Sequence, residues 1–263
     1  MKSIILAAGQ GKRLYPLTKN IPKCMVELFG KSIIQWQIEK FRECQINDIS
    51  IVRGYLSSMI NFSNIAFFNN NNFSTTNMVE TLFCAESKLS GTIIVSYGDI
   101  IYEKKVLQKL IECTDDLAVV VDKNWNYYWQ MRFEKPLNDV ESMKIDHTGF
   151  ITSIGQKVQN LDDIQGQYIG LMKFQNNGID QIKEFYKKTK NESKLGTNPL
   201  NPKLPFKQSY MTDFLQGLIN ANHKIKAVPI FGGWLELDSI NDYQLYQKKQ
   251  ENNTISELIS IEN

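Results

Sequence analysis

The 263-residue chain predicts an α/β fold: a Rossmann-like, doubly wound, mainly parallel sheet with a small lobe of β-hairpin and helices. Three observations lead there. Short continuous apolar runs, Ile4-Ile5-Leu6-Ala7 first among them, alternate with segments of helical apolar period, the pattern of strands buried on both faces beneath covering helices. A polar glycine loop follows the first run directly, where such sheets collect ligands. Beyond residue 140 the pattern changes to a hairpin and then to helices.

In chain order, a buried strand is expected over 2–7, and Ile33, Ile34, Trp36, Ile38 and Phe41 take a helical period behind Ser32 as N-cap. Apolar runs at 49–52 and 65–68 follow, and Asn77 is placed to cap a helix over 78–88. Strands are expected over 92–96 and 117–121, with a helix over 103–113 between them. A His147-Thr148-Gly149 turn joins 143–146 to 150–155 as a hairpin, and a strand over 168–174 is expected to pair near it, walling one side of a pocket. Helices over 177–190, 212–222 and 239–249 complete the order. With no repeat and no linker, residues 1–250 are expected to form one domain and 251–263 a polar tail.

A formal charge of only +2, with no basic block, argues against a nucleic-acid face. Cys24, Cys44, Cys84 and Cys113 are scattered singly, without zinc-site spacing or disulfide density, as free thiols in a reducing compartment would be. The apolar start runs into a polar loop too soon for a signal-peptide core. A cytoplasmic protein with no membrane partner is the expectation; nothing in the chain sets its oligomeric state. His147 and His223 fall at a turn and a helix end, so no histidine chemistry is expected.

Leu6-Ala7-Ala8-Gly9-Gln10-Gly11-Lys12-Arg13-Leu14 sets two glycines and two cations behind a buried strand, an anion cradle in which backbone N–H groups can surround phosphate. It lacks the third glycine of a dinucleotide fingerprint and the Ser or Thr of a Walker A loop. Ser96-Tyr97-Gly98-Asp99 ends another buried strand with a carboxylate, making Asp99 the first metal candidate. Mg²⁺ uses few carboxylates beside phosphate oxygens and water, so a second acid is expected far along the chain.

The combination of Ala-Ala-Gly-x-Gly-x-Arg with Pro16-Leu17-Thr18 and Pro22-Lys23 resembles the nucleotidyltransferases that activate sugars and small alcohols. The resemblance implies that Leu6, Ala7, Ala8, Gly9, Gly11, Lys12 and Arg13 hold the triphosphate, with Gly98 beside them. It also implies that Arg13 and Lys23 act in transfer. Trp234-Leu235-Glu236-Leu237-Asp238 resembles the family's late acidic segment, which makes Asp238 the second Mg²⁺ ligand, with a plain N-cap of the helix starting near Ser239 as the lesser alternative. Trp129-Gln130-Met131-Arg132, Pro136-Leu137 and Asp139-Val140-Glu141 look like phosphocholine and phosphoglutamine cytidylyltransferases, and Asn77-Met78-Val79-Glu80-Thr81-Leu82 looks like their base-side helix start.

The function so implied is Mg²⁺-dependent transfer of CMP from CTP to a small phosphorylated acceptor. Trp129, Arg132, Glu141, Lys157, Tyr168 and Trp234 would form the acceptor side, with Trp129 and Tyr128 as pocket wall or core and Arg132 in a structural ion pair as the alternative, and the product would serve cell-surface polysaccharide. Gln156-Lys157 stands where sugar-specific relatives carry Glu-Lys, keeping the lysine and losing the acid, which argues against sugar recognition by that element. A hexose-1-phosphate nucleotidylyltransferase using UTP or dTTP, a glycosyltransferase of related topology and an inactive nucleotide sensor are the competing readings.

Overall fold

The computed structural model describes residues 1–161 and 164–261. Strand β1 (Lys2–Ala7) carries Ile5 and Ala7 into one hydrophobic core and Ile4 and Leu6 into another, as a strand covered on both faces must. A small ribbon, β2 (Glu27–Leu28) and β3 (Lys31–Ser32), leads into α1 (Ile33–Glu43), capped by Ser32 Oγ accepting from Gln35 N at 3.4 Å. Then come β4 (Asp48–Arg53), β5 (Ala66–Asn69), α2 (Met78–Phe83), β6 (Ile93–Tyr97), β7 (Ile100–Tyr102), α3 (Lys104–Glu112) and β8 (Leu117–Asp122). The second half runs α4 (Trp125–Arg132), β9 (Glu141–Ile145), β10 (Ile151–Lys157), β11 (Gln167–Phe174), α5 (Asn177–Ser193), α6 (Met211–Asn220), β12 (Lys226–Ile230), β13 (Trp234–Glu236) and α7 (Ile240–Glu251).

The central seven-stranded sheet has the order β12-β8-β11-β6-β1-β4-β5. Each pairing in it is parallel except those of β11, which runs antiparallel to both β6 and β8. Helices α1, α3, α4 and α7 cover one face, and α2, α5 and α6 the other. The carboxyl ends of β1 and β6 lie side by side, with Leu6 opposite Tyr97, so the loops after both open at one sheet edge.

Four expectations change. The strand expected beside the hairpin is β11, and it sits in the middle of the main sheet: Leu171 enters one core while Met172 and Phe174 enter the other, burial that a hairpin edge does not provide. Helix α2 ends at Phe83 and gives way to a 3₁₀ turn, Glu86–Lys88, because the bend brings both Ala85 and Leu89 into the core. The polar tail is not free, since Leu258 and Ile259 are 7% and 4% exposed and belong to the core of the α1 face. Strands β7 and β13, absent from the expected elements, pair antiparallel and set Glu236 opposite Ile100. Among the described residues, no helix is long and apolar enough to cross a membrane.

Candidate active site

The loop after β1 bends at Gly11, whose φ of 70° lies in the left-handed region, and a 3₁₀ turn over Lys12–Leu14 follows. Thr18, fully buried, anchors the bend by donating its hydroxyl to Gly11 O at 2.7 Å. A Cβ at Gly11 would stand 2.9 Å from Lys23 Cβ and 3.0 Å from its Cγ, so the glycine leaves the channel along which the Lys23 stem reaches inward. Gly11→Ala is accordingly expected to cost about 1 kcal/mol or more in stability from backbone strain alone. It should also lower turnover, because Lys23 must shift. Thermal melting and a pyrophosphate-release assay measure the two effects, and an unchanged turnover would show that Lys23 placement does not depend on this bend.

Lys23, opening a short 3₁₀ turn behind Pro22, places Nζ 2.7 Å from Asp99 Oδ2 and 2.8 Å from Asp238 Oδ1. Arg13 Nη2 lies 2.5 Å from Asp238 Oδ2. These partners are 76 and 215 residues from Lys23 in sequence. What joins them is the β7–β13 ribbon, extended by Leu237 N donating to Asp99 O at 2.9 Å. Ser239, not Asp238, caps α7, in a capping box with Asp242, which leaves the Asp238 carboxylate for the cleft.

Burial alone would lower the Lys23 pKa, but Asp99, Asp238 and Glu236 outweigh it and hold the ammonium above its usual range. For Asp238, burial pushes the carboxyl up, and Lys23 with Arg13 outweighs it, so the group stays ionised below the usual carboxylate range. Glu236 goes the other way: burial, with Asp238 and Asp99 nearby and Arg132 only partly offsetting them, pushes it up to about 7.

Oxygen atoms of Asp99, Glu236 and Asp238 lie within 4.8 Å of one another. Among the described residues, Asp99 Oδ1 is buried without a hydrogen-bond partner. A buried carboxylate oxygen left without a donor is costly, and a hard cation is the group that would satisfy it. The donor set therefore fits a small divalent cation, with Lys23 supplying positive charge at the same point.

These groups line a cleft of about 520 Å³ together with Gly9, Lys12, Asn77, Trp129, Asp139, Glu141, Tyr168 and Trp234. Leu6, Ala7 and Gly98 line a small recess of about 30 Å³ shared with Gly9, Lys23 and Asp99. A Cβ at Gly98 would meet Leu6 O at 2.7 Å, so the glycine lets the β6 end run against β1. Ala8 is buried, and its carbonyl accepts from Tyr55 N. Asn77 caps α2 with its side-chain oxygen, 2.8 Å from Met78 N, and donates from its amide nitrogen to Gln208 O.

Along the wall expected to take the acceptor, Trp129 Nε1 donates to Asp139 Oδ2 at 3.1 Å, and the rings of Tyr97 and Tyr168 meet edge to face with centroids 5.7 Å apart. Gly170 makes this possible: a Cβ there would stand 2.6 Å from the Tyr97 ring. Glu141 opens to the cleft, yet burial by the concave walls, with Asp213 and Asp139 close by, pushes its carboxyl up to about 7. Among the described residues neither Asp139 nor Glu141 forms an ion pair.

Two expected acceptor contacts do not reach this wall. Lys157 is exposed on β10, outside the cleft lining. Arg132 has a side chain only 1% exposed, and its guanidinium is committed to Asp242 and Glu236. With its side chain buried and each of its three nitrogens bonded to Asp242 or Glu236, it is not placed to grip acceptor phosphate directly. Conversely, Glu236, Asp139, Gln167, Tyr97 and Asp242 were not assigned from sequence. Glu236 had a usable signal: it stands two residues from Asp238, the spacing that puts side chains on one face of an extended segment.

A family model described as nucleotidyl transferase matches residues 2–198. The chain is 41% identical over 260 residues to the CTP:phosphoglutamine cytidylyltransferase of Campylobacter jejuni subsp. jejuni, covering 95% of this chain and 100% of that protein. It is 31% identical over 118 residues to the choline-phosphate cytidylyltransferase of Streptococcus pneumoniae, a match spanning 43% of this chain and 52% of the relative. Among solved structures, the CTP:phosphocholine cytidylyltransferase from Streptococcus pneumoniae superposes with a TM-score of 0.69 at 20% identity, over 95% of this chain and 98% of the other. The inositol-1-phosphate CTP transferase from T. maritima gives 0.71 at 17% identity, over 99% and 98%. Both likenesses speak for the fold.

Proposed function

This chain belongs to the nucleotidyl transferase family, and from that premise we propose that it transfers CMP from CTP to a compact phosphorylated acceptor of the phosphoglutamine or phosphocholine kind, releasing pyrophosphate. The observation that carries the reading is the meeting of Lys23 with Asp99 and Asp238 at one point of the cleft.

The reaction needs no covalent enzyme nucleophile. An acceptor phosphate oxygen forms the new bond to the α-phosphorus while the bond from that phosphorus to the β-phosphate's bridging oxygen breaks, in line. Arg13 and Lys12, on the glycine loop, bind and orient the triphosphate. Lys23 stays protonated in its acidic surroundings and offsets the charge that gathers on the α-phosphate and on the leaving pyrophosphate. Mg²⁺ held by Asp99 and Asp238, with Glu236 alongside, would supply neutralisation of phosphate charge, since few carboxylates leave its remaining positions for phosphate oxygens and water.

For the acceptor, the Trp129, Tyr97 and Tyr168 rings and the Asp139 and Glu141 carboxylates, which form no ion pair among the described residues, complement an ammonium or amide N–H end. A hexose presents neutral hydroxyls and would leave the acids poorly paired, a loss of about 1–3 kcal/mol per group. We therefore expect CTP with phosphoglutamine or phosphocholine to outperform UTP or dTTP with glucose-1-phosphate by ~10-fold or more in kcat/KM. Pyrophosphate release across four triphosphates and a panel of acceptors measures this, and the reading fails if the sugar phosphate wins. The working place proposed is the cytoplasm, where CTP is at hand, and the activated product would supply cell-surface polysaccharide.

A further inference from the structure

Glu236 and Asp238 sit at the end of a three-residue strand, too short to fix its own side chains, so something else must hold them. The groups that hold them come from two helices. From α4, Arg132 donates through Nη1 to Glu236 Oε2 at 2.9 Å, and through Nε and Nη2 to the two oxygens of Asp242 at 2.8 and 3.1 Å. From α7, Asp242 Oδ2 accepts the backbone amides of Asp238 at 3.1 Å and Ser239 at 2.8 Å. The backbone of Glu236 is gripped on both sides: its N–H donates to Tyr128 Oη at 2.9 Å, and its carbonyl accepts from Tyr246 Oη at 2.7 Å. Because Tyr246 gives its proton to that carbonyl, the bond between the two tyrosine hydroxyls takes its proton from Tyr128.

We propose that Arg132, Asp242 and Tyr246 are positioning residues that hold the 236–238 segment so that its carboxylates face Asp99 at cation-binding distance, and that none of the three touches substrate. The inference rests on the cytidylyl-transfer reading, in which Asp99 and Asp238 bind the metal. Burial of the Arg132–Asp242 pair, with side chains 1% and 2% exposed, is a poor way to gain stability, because desolvating two charges cancels most of their attraction. What the pair gives is direction: the guanidinium ties Asp242 and Glu236 to one rigid group, and Asp242 then fixes the Asp238 backbone. The same helix α4 carries Trp129 one turn before Arg132, so the acceptor wall and the cation cradle share one rigid support.

The test uses the full chain with Mn²⁺ alone as probe, titrated calorimetrically without nucleotide, beside steady-state kinetics with Mg²⁺, CTP and the preferred acceptor. Arg132→Lys keeps the charge but cannot span both carboxylates. Tyr246→Phe keeps the packing and removes one bond onto Glu236, so it carries the test if Arg132→Lys does not fold. Both are expected to weaken Mn²⁺ binding, Arg132→Lys by ~10-fold and Tyr246→Phe by ~3-fold, in line with losses seen when outer partners of metal ligands are removed. In both, kcat falls while the acceptor KM stays within ~2-fold. A raised acceptor KM with Mn²⁺ affinity unchanged would make Arg132 a direct acceptor contact and overturn the proposal, as would unchanged Mn²⁺ affinity in both variants. Asp238→Asn separates the two levels. If it leaves Mn²⁺ binding intact, the metal assignment fails and the proposal with it; if it abolishes binding while the positioning variants do not weaken it, the proposal alone fails.

Discussion

Asp99→Asn and Asp238→Asn should each give a folded protein whose turnover is down ~10²-fold or more, since each keeps the volume of the side chain and removes charge that a divalent cation needs. Folding should survive because the local structure does not depend on these carboxylates: Asp99 bonds Leu237 through its main-chain carbonyl, and α7 is capped by Ser239. The two variants are not equivalent. Asp238 pairs with both Lys23 and Arg13, whereas Asp99 pairs with Lys23, so Asp238→Asn leaves two cations short of a partner and should lower the melting temperature more. Pyrophosphate release at saturating Mg²⁺ is the measurement. Near-normal turnover in either variant would remove that residue from the cation cradle.

Lys23→Ala should lower turnover by ~10²-fold while changing the CTP Michaelis constant much less, because only an interaction that strengthens in the transition state speeds the chemical step. The structure adds a second consequence. Without the ammonium, Asp99 and Asp238 face each other with Glu236 nearby and lose the charge that bridges them. The ligand-free variant should be less stable by about 1–3 kcal/mol, a figure kept low because these side chains retain some solvent. Mg²⁺ should then raise its melting temperature more than that of the wild type, since the ion replaces a counter-charge the variant lacks. Normal turnover with only a raised CTP Michaelis constant would reduce Lys23 to a binding residue, and an equal Mg²⁺ response in both proteins would show that Lys23 and the ion do not share the cradle.

Local chemistry explains what could be anticipated. Strand β1 is a continuous apolar run ending at a glycine loop, and both features are set by neighbours in the chain. The start of α1 at Ser32 follows from a hydroxyl placed three residues before a free amide, and the hairpin of β9 and β10 follows from a turn sequence between two alternating stretches. The glycine loop and Asp99 were legible because each closely follows the end of an apolar strand, whereas Lys23 came through the family resemblance of Pro22-Lys23. Asp238 came only through resemblance, since a lone acid before a helix reads as well as a cap.

Helix α4 shows where legibility stops. Trp125, Tyr128, Trp129 and Arg132 are its buried residues and stand at helical spacing, yet from sequence Arg132 reads as well as an acceptor contact as it does as a structural ion pair until its partners are known. Those partners, Glu236 and Asp242, lie 104 and 110 residues away, and no local pattern links them.

By itself the sequence determined most of the main-sheet strands and the helices α1 and α3 of the first half, and the glycine loop that follows β1. Tertiary structure alone decided that β11 enters the sheet centre, that β7 and β13 bring Asp238 to Asp99, that Leu258 and Ile259 join the core, and that Arg132 faces inward. The physical reason is range. Backbone propensity and capping act over one turn or one strand, while burial and charge pairing depend on which distant segments the whole chain brings together, and that choice is made by the sum of the packing.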